Sequence, residues 1–150
     1  YEGVLNALLR KAGQTVAVAE TAFGSSVAQT LKAMEGCGQF FRLGVTVVTP
    51  ETAQKLLAVS KPLWQEEKGV NAGLAKALAE GARRLAGSDL GLGITGHVSE
   101  EKGQDHLIHI ALASAEKTEC LEQRWPARMQ YIENRMTKLA LDQVKKHIVA

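Results

Sequence analysis

The chain has no apolar run approaching the roughly 20 residues that span a bilayer, which excludes a membrane-crossing helix. It has little net charge, with 18 Lys and Arg against 16 Asp and Glu for a formal +2. The basic residues are scattered, and Arg83-Arg84 and Lys145-Lys146 read as solvated helix faces, so no phosphate-tracking stripe for nucleic acid is expected. Cysteine is scarce. Cys37 and Cys120 stand far apart without CxxC spacing, which argues against a disulfide framework and makes a reduced, cytoplasmic setting the default. Nothing among the histidines has metal-ligand spacing, so neither a metal nor a cofactor is expected. No secretory n-region and h-region are visible, although the chain begins at Tyr1 rather than Met and what precedes it is open. Internal repeats, linkers and low-complexity tracts are also missing.

What is present is the composition of an ordinary globular protein, 45% hydrophobic and 23% charged, in 150 residues that fit one domain with a sizeable core. Val4, Leu5, Leu8 and Leu9 recur at helical spacing, with Gly13 placed to end that helix. Thr15 to Glu20 reads as a buried strand, and Val27, Leu31 and Met34 form the stripe of a second helix closed by Gly36. Leu43 to Val48 reads as a second strand. Thr49-Pro50-Glu51 then carries three helix-start signals: a hydroxyl cap, a proline at the first position and an acid near the positive end. Asn71 can cap a helix that buries Leu74, Leu78, Ala82 and Leu85 and stops at Gly87. Asp89 to Thr95, His106 to Ala113 and Cys120 to Trp125 read as three more strands, the last two joined by a turn at Ser114 to Lys117. Ile132, Met136, Leu139 and Ala140 line a final helix. Alternating strands and helices followed by two adjoining strands predict a three-layer α/β/α sandwich around a mixed, mainly parallel sheet.

The first strand runs directly into Glu20-Thr21-Ala22-Phe23-Gly24-Ser25-Ser26, a small-residue turn opening a helix. Backbone N–H groups there can hold an anion or an oxyanion. Ligands of open α/β sheets bind beyond the carboxyl ends of strands. Thr21, Thr49 and Thr95 each follow or end a strand, and with Glu20, Gly24, Ser25 and Gly96 they are the candidate lining of one pocket. Simpler roles remain open for some of them: Thr49 as a helix cap, and Ser25 or Ser26 as the cap of the second helix. Gly91-Leu-Gly93-Ile-Thr-Gly96 matches GxGxxG, but the glycines sit inside a strand and a polar loop follows instead of a helix. They read as room for close helix packing or for a ligand. His106 and His109 lie three apart on a strand and so point to opposite faces. Trp64 and Trp125 read as core or interface anchors.

These segments together resemble the C-terminal domain of the competence/damage-inducible protein CinA, the family of nicotinamide-mononucleotide (NMN) deamidases. The family's A-E-S-C-T-G-G stands here as Ala19-Glu20-Thr21-Ala22-Phe23-Gly24-Ser25, and its G-x-V-x-Y-S-N-E-A-K as Gly44-Val-Thr-Val-Val48-Thr49-Pro50-Glu51-Thr52-Ala53. Its A-V-S, M-A-x-G-A and I-[ST]-G segments are echoed by Gly69-Val70-Asn71, Leu78 to Ala82 and Ile94-Thr95-Gly96. Order and separations agree over nearly the whole chain. The departures fall where the resemblance places the chemistry. The family's nucleophilic serine is Thr21, and the tyrosine and lysine that activate it fall on Val48 and Ala53. The glycine- and proline-rich substrate loop is replaced by His97 to Asp105, and the arginine of a later G-D-R segment has no counterpart in Ala127-Arg128-Met129. Lys55 lies two residues from the lost lysine, about 200° around a helix, and is a poor substitute.

Amide hydrolysis by a hydroxyl needs a base and an oxyanion site, and losing a triad-like unit costs several orders of magnitude in rate. The resemblance with these departures implies a domain with lost or much reduced amidase activity. Such a domain is expected to act as a nucleotide-binding or regulatory protein with an NMN-like ligand, and as a homodimer. The alternative is an active amidohydrolase that uses Thr21 as nucleophile, with His97 or Lys55 as base. A third reading is a homodimeric scaffold paired through the late strands or the final helix.

Overall fold

The computed structural model describes residues 2–98 and 103–150. The first helix, α1 (Glu2–Ala12), has an acid in its first turn and Arg10 and Lys11 in its last, matching the helix dipole, and buries Leu5 and Leu9 one turn apart. Strand β1 (Val16–Glu20) is buried at all five positions, as a central strand covered on both faces must be. Helix α2 (Ser26–Ala33) buries Val27 and Leu31. Strand β2 (Phe41–Thr46) and helix α3 (Pro50–Leu57) follow, then the short helix α4 (Lys61–Gln65). Helix α5 (Ala72–Ala86) starts at an Asn71 cap and stops at Gly87 in the left-handed conformation. Strands β3 (Leu90–His97), β4 (His106–Ala113) and β5 (Thr118–Trp125) complete the sheet, and α6 (Ile132–Val149) closes the chain.

The sheet order is β2-β1-β3-β4-β5. β1 pairs in parallel with β2 and β3, whereas β4 is antiparallel to both β3 and β5. Four strands therefore run one way and β4 alone runs the other, the mixed and mainly parallel sheet that the order of elements predicts. Helices α1, α2 and α6 cover one face, where Val16, Val18, Leu92, Ile94, Ile108 and Ile110 meet Leu5, Leu31, Met136 and Val144. Helices α3 and α5 cover the other, where Ala17 and Ala19 meet Ala53, Leu57, Leu74 and Leu78. Trp125 packs against the first core and Trp64 against the second, so both tryptophans serve as anchors.

Strand boundaries shift where neighbours begin and end. The second strand occupies 41–46 rather than 43–48. Its sole neighbour β1 ends at Glu20, whose carbonyl accepts the Val47 N–H at 3.0 Å, and beyond that bond the chain has no ladder to join. Val47 is buried and Val48 is 77% exposed. β3 in turn extends through His97, because Gly96 and His97 pair with Ile108 and Leu107 of β4. Gly91 and Gly93 of the GxGxxG-like run lie flat beneath α5. A Cβ on Gly91 or Gly93 would meet the carbonyl of Ala79 or Ala75 at well under 3.0 Å. They permit close helix packing, as a strand of this kind under a helix requires.

Candidate functional site

Glu20, at the carboxyl end of β1, is fully buried. It shares a strand face with Val16 and Val18, so its side chain enters the side covered by α1, α2 and α6. Among the described residues neither carboxylate oxygen has a hydrogen-bond partner. Burial pushes its pKa up to about 7; the Val27 amide at the start of α2 pulls the other way without reaching hydrogen-bond geometry, and the Glu133 carboxylate raises it further. An acid in this state, at the carboxyl end of a central α/β strand, is a candidate functional position.

After Thr21 the chain turns through three successive left-handed residues, Phe23 (φ 67), Gly24 (φ 55) and Ser25 (φ 66). For Phe23 and Ser25 this conformation is strained and is held only by its surroundings. The Phe23 ring lies against Gly96, where an added Cβ would come within 2.7 Å of it, so that glycine is needed for the ring to seat. Ser25 stands at the N-cap position of α2 without capping it; its hydroxyl instead bonds the Thr46 hydroxyl on β2. The Gly24 carbonyl accepts from Gln29 at 2.8 Å.

The sheet divides the remaining candidates. Thr95, on the same face as Gly91 and Gly93, donates its hydroxyl to the Gly69 carbonyl just ahead of α5 and is fully buried. Thr49 caps α3, accepting the Thr52 N–H at 3.2 Å, so its simpler role is realised. Thr49 and Thr95 thus belong to the α3/α5 side, whereas Glu20, Phe23 and Gly96 belong to the α2/α6 side. Thr21 bridges β1 and β3: its N–H donates to the Ile94 carbonyl at 3.0 Å, and its hydroxyl lies 3.5 Å from the same oxygen. Glu20, Thr21, Gly24, Ser25 and Gly96 are brought to one end of the sheet; Thr49 and Thr95 are anchored behind it.

Two clefts open on the α2/α6 side. One, of about 850 Å³, runs between α1, α2 and α6 and is lined by Ser26, Gln29, Glu133, Asn134 and Thr137 among others. The other, of about 600 Å³, lies beyond the carboxyl end of β3 and is walled by Phe23, Val98, His106, Met129, Tyr131 and Glu133. Glu133 lines both clefts and is the charged neighbour of Glu20. Sequence reasoning passed over it, although an acid in the first turn of the final helix is a recognisable signal for a residue presented at a helix start. His106 sits in the second cleft, donating from Nε2 to the Ala127 carbonyl at 3.2 Å. His109 faces the other side of the sheet, 3.8 Å from Glu122, as the strand spacing requires. Lys55 and His97 are both exposed, and Ala53 is fully buried. Residues 99–102 of the loop from His97 to Asp105 lie outside the described residues. Among the described residues no group of three or more His, Cys, Asp or Glu is placed to hold a metal ion, and no helix is long and apolar enough to cross a membrane.

A model of the CinA C-terminal domain matches residues 1–148. Curated relatives include a CinA-like protein of Synechococcus sp., 39% identical over 124 residues that cover 80% of this chain and 30% of the relative. Another, from Geobacter sulfurreducens, is 30% identical over 146 residues, covering 95% of this chain and 35% of the relative. The chain thus spans about a third of the length of the curated relatives it matches. Among solved structures, a competence-damaged protein (CinA) superfamily protein from Klebsiella pneumoniae superposes with a TM-score of 0.88 at 18% identity, covering 99% of this chain and 95% of that one. The competence/damage inducible protein CihA from Agrobacterium tumefaciens gives 0.85 at 19% identity, covering 97% and 93%. At these identities the structures speak for the fold.

Proposed function

Because the chain belongs to the CinA C-terminal domain family, we propose that it is a relative of the NMN deamidases that has lost most or all amidase activity and works as a binding or regulatory domain for a small NMN-like nucleotide. The observation that carries this reading is the state of Thr21. Its hydroxyl faces a backbone carbonyl, which cannot take its proton, and the positions of the family's two activators hold an exposed valine and a buried alanine. A hydroxyl without a base is a poor nucleophile at neutral pH. The strained turn at Phe23 to Ser25, the start of α2 and the cleft beyond β3 still supply a concave site with aromatic walls at the carboxyl end of the sheet, where a nucleotide's ring and ribose would lodge. The domain is proposed to act in the cytoplasm and as a homodimer.

The alternative is a residual amidohydrolase acting through Thr21. It is favoured by one feature: at 3.5 Å the Thr21 hydroxyl is only loosely held and remains free to turn toward a bound carboxamide. The deciding experiment measures ammonia release from NMN over hours at high enzyme concentration, with thermal unfolding followed on the same sample. Stabilisation by NMN without ammonia release is the expected result. Release that disappears in Thr21→Ala overturns the binding reading in favour of the enzyme.

A further inference from the structure

We propose that the cleft beyond the carboxyl end of β3 is a cage for an organic cation whose charge sits on an N-alkylated, quaternary nitrogen. Phe23 and Tyr131 are its aromatic walls and Glu133 is its counter-charge. The pyridinium ring of an NMN-like nucleotide is such a cation, so this cage rests on, and narrows, the reading proposed above. Three side chains reach the cleft from two distant parts of the chain. The Phe23 ring is laid over the end of β3, where a Cβ on Gly96 would come within 2.7 Å of it, so the ring is fixed in the wall. Tyr131 and Glu133 come from the start of α6. The Glu133 carboxylate reaches back over the turn that carries Phe23: a Cβ on Gly24 would lie 3.9 Å from its Oε1.

Tyr131 is the least expected member. Its backbone is left-handed (φ 60), a conformation costly for an aromatic residue, and its side chain does not cap α6. Burial does not account for the ring either, because the residue is 71% exposed. Phe23 has the same left-handed backbone (φ 67), so two strained aromatic residues flank a single cleft. Strain of this kind gathers at ligand-binding sites. The charge of the lining decides what fits between them. Among the described residues no lysine or arginine lines the cleft, so an anionic group has no such cation to meet there, and the exposed Glu133 carboxylate favours a positive one. His106 is held by the Ala127 carbonyl. Aromatic faces attract organic cations through the ring quadrupole, and quaternary ammonium groups are the usual guests of such cages. A quaternary nitrogen needs no hydrogen-bond acceptors, and the Val98 and Met129 side chains would meet its alkyl groups.

The test titrates the whole chain with N-methylpyridinium chloride, followed by NMR and thermal unfolding in mildly alkaline buffer. Uncharged pyridine, and sodium chloride at equal ionic strength, are the comparisons. Tetramethylammonium chloride separates an aliphatic source of the cation from an aromatic one. Saturable binding of one or both quaternary cations is expected, with pyridine about fivefold weaker or more. Tyr131→Asn and Glu133→Gln should each weaken cation binding by about fivefold or more. Asparagine tolerates the left-handed backbone, so Tyr131→Asn should keep or raise Tm while losing affinity, a split that a merely structural tyrosine would not show. Glu80→Gln, exposed on α5 across the sheet, should bind as the parent does. The proposal is overturned if neither cation binds more tightly than pyridine or sodium, or if Tyr131→Asn and Glu133→Gln both bind as the parent does. These probes carry neither carboxamide nor phosphate. NMN binding without binding of either cation therefore overturns the cage alone, whereas cation binding without NMN binding supports the cage and overturns the nucleotide reading.

Discussion

Gly93 of β3 lies directly beneath Ala75 of α5, so near that a Cβ on the glycine would collide with the helix's own backbone carbonyl. Backbone cannot rotate away as a side chain can, and the helix is the cover of the central strands. Gly93→Ala is therefore expected to destabilise the fold by at least about 3 kcal/mol, at or beyond the upper end of ordinary overpacking. Gly3→Ala is the contrasting change. It sits in the first turn of α1 with nothing within 4 Å of the added methyl, and should stabilise by up to about 0.5 kcal/mol, less than in a helix interior. Urea unfolding of the two variants checks both signs.

The buried acid predicts an unusual pH dependence. The pKa of Glu20 is raised from 4.5 to about 7 on folding, so the native state holds a proton that the unfolded chain releases. Stability from the protonated form is fully present below about pH 4.5 and is lost as pH rises through about 7, a change of roughly 3 kcal/mol across that window. Glu20→Gln, which carries no titrating proton, should flatten this slope in urea unfolding measured from pH 4.5 to 8. An unchanged slope in the variant would show that Glu20 is not the titrating group.

His109 works in the opposite sense. Burial lowers its pKa from 6.5 against the pull of Glu122, and among the described residues Nδ1 is buried without a partner. Its contribution is present above about pH 6.5 and is lost as pH falls below that value, because the unfolded chain takes up the proton more readily. On the Glu20→Gln background, His109→Gln should reduce the loss of stability below about pH 6.5 in urea unfolding.

Val48 and Ala53, the positions to which the resemblance assigns the family's activators, differ in what they tolerate. Val48 is 77% exposed, and Val48→Tyr should change stability by no more than about 0.5 kcal/mol. Ala53 is fully buried between α3 and the sheet, and Ala53→Lys should cost more than about 3 kcal/mol through overpacking and a buried ammonium. Thermal unfolding of the two single variants would separate them. A mild effect at Ala53 would mean that α3 can shift to accommodate a lysine.

Two helix caps provide a calibrated pair. Thr49 is exposed and makes one backbone cap bond, so Thr49→Ala should cost about 1 kcal/mol. Asn71 is nearly buried. It accepts from the Leu74 N–H at 2.7 Å and donates to the Leu63 and Glu66 carbonyls at 2.9 and 2.8 Å. Asn71→Ala removes three hydrogen bonds to backbone groups, the Leu74 one buried, and should cost more than twice as much as Thr49→Ala.

Much of this fold was legible in the chain itself because its signals are local. Thr49 before Pro50, Asn71 before an apolar stripe and Gly87 after it are caps that act within a few residues, and all three stand where the sequence places them. The burial of β1 followed from its continuous apolar run, and the opposite facing of His106 and His109 from the two-residue period of a strand. What sequence spacing could not decide was which residues meet. Ser25 has the chemistry of a helix cap, yet β2 brings Thr46 to its hydroxyl. Thr49 and Thr95 have the chemistry of a pocket, yet the sheet sets them on the α3/α5 side, each bonded to its own backbone partner. Glu20 and Glu133 are separated by most of the chain, and only the packing of α6 against α2 sets one carboxylate beside another. Local hydrogen bonding and periodicity are written in neighbouring residues. The environment of a side chain, and with it burial, pKa and function, depends on elements that only the folded sheet brings together.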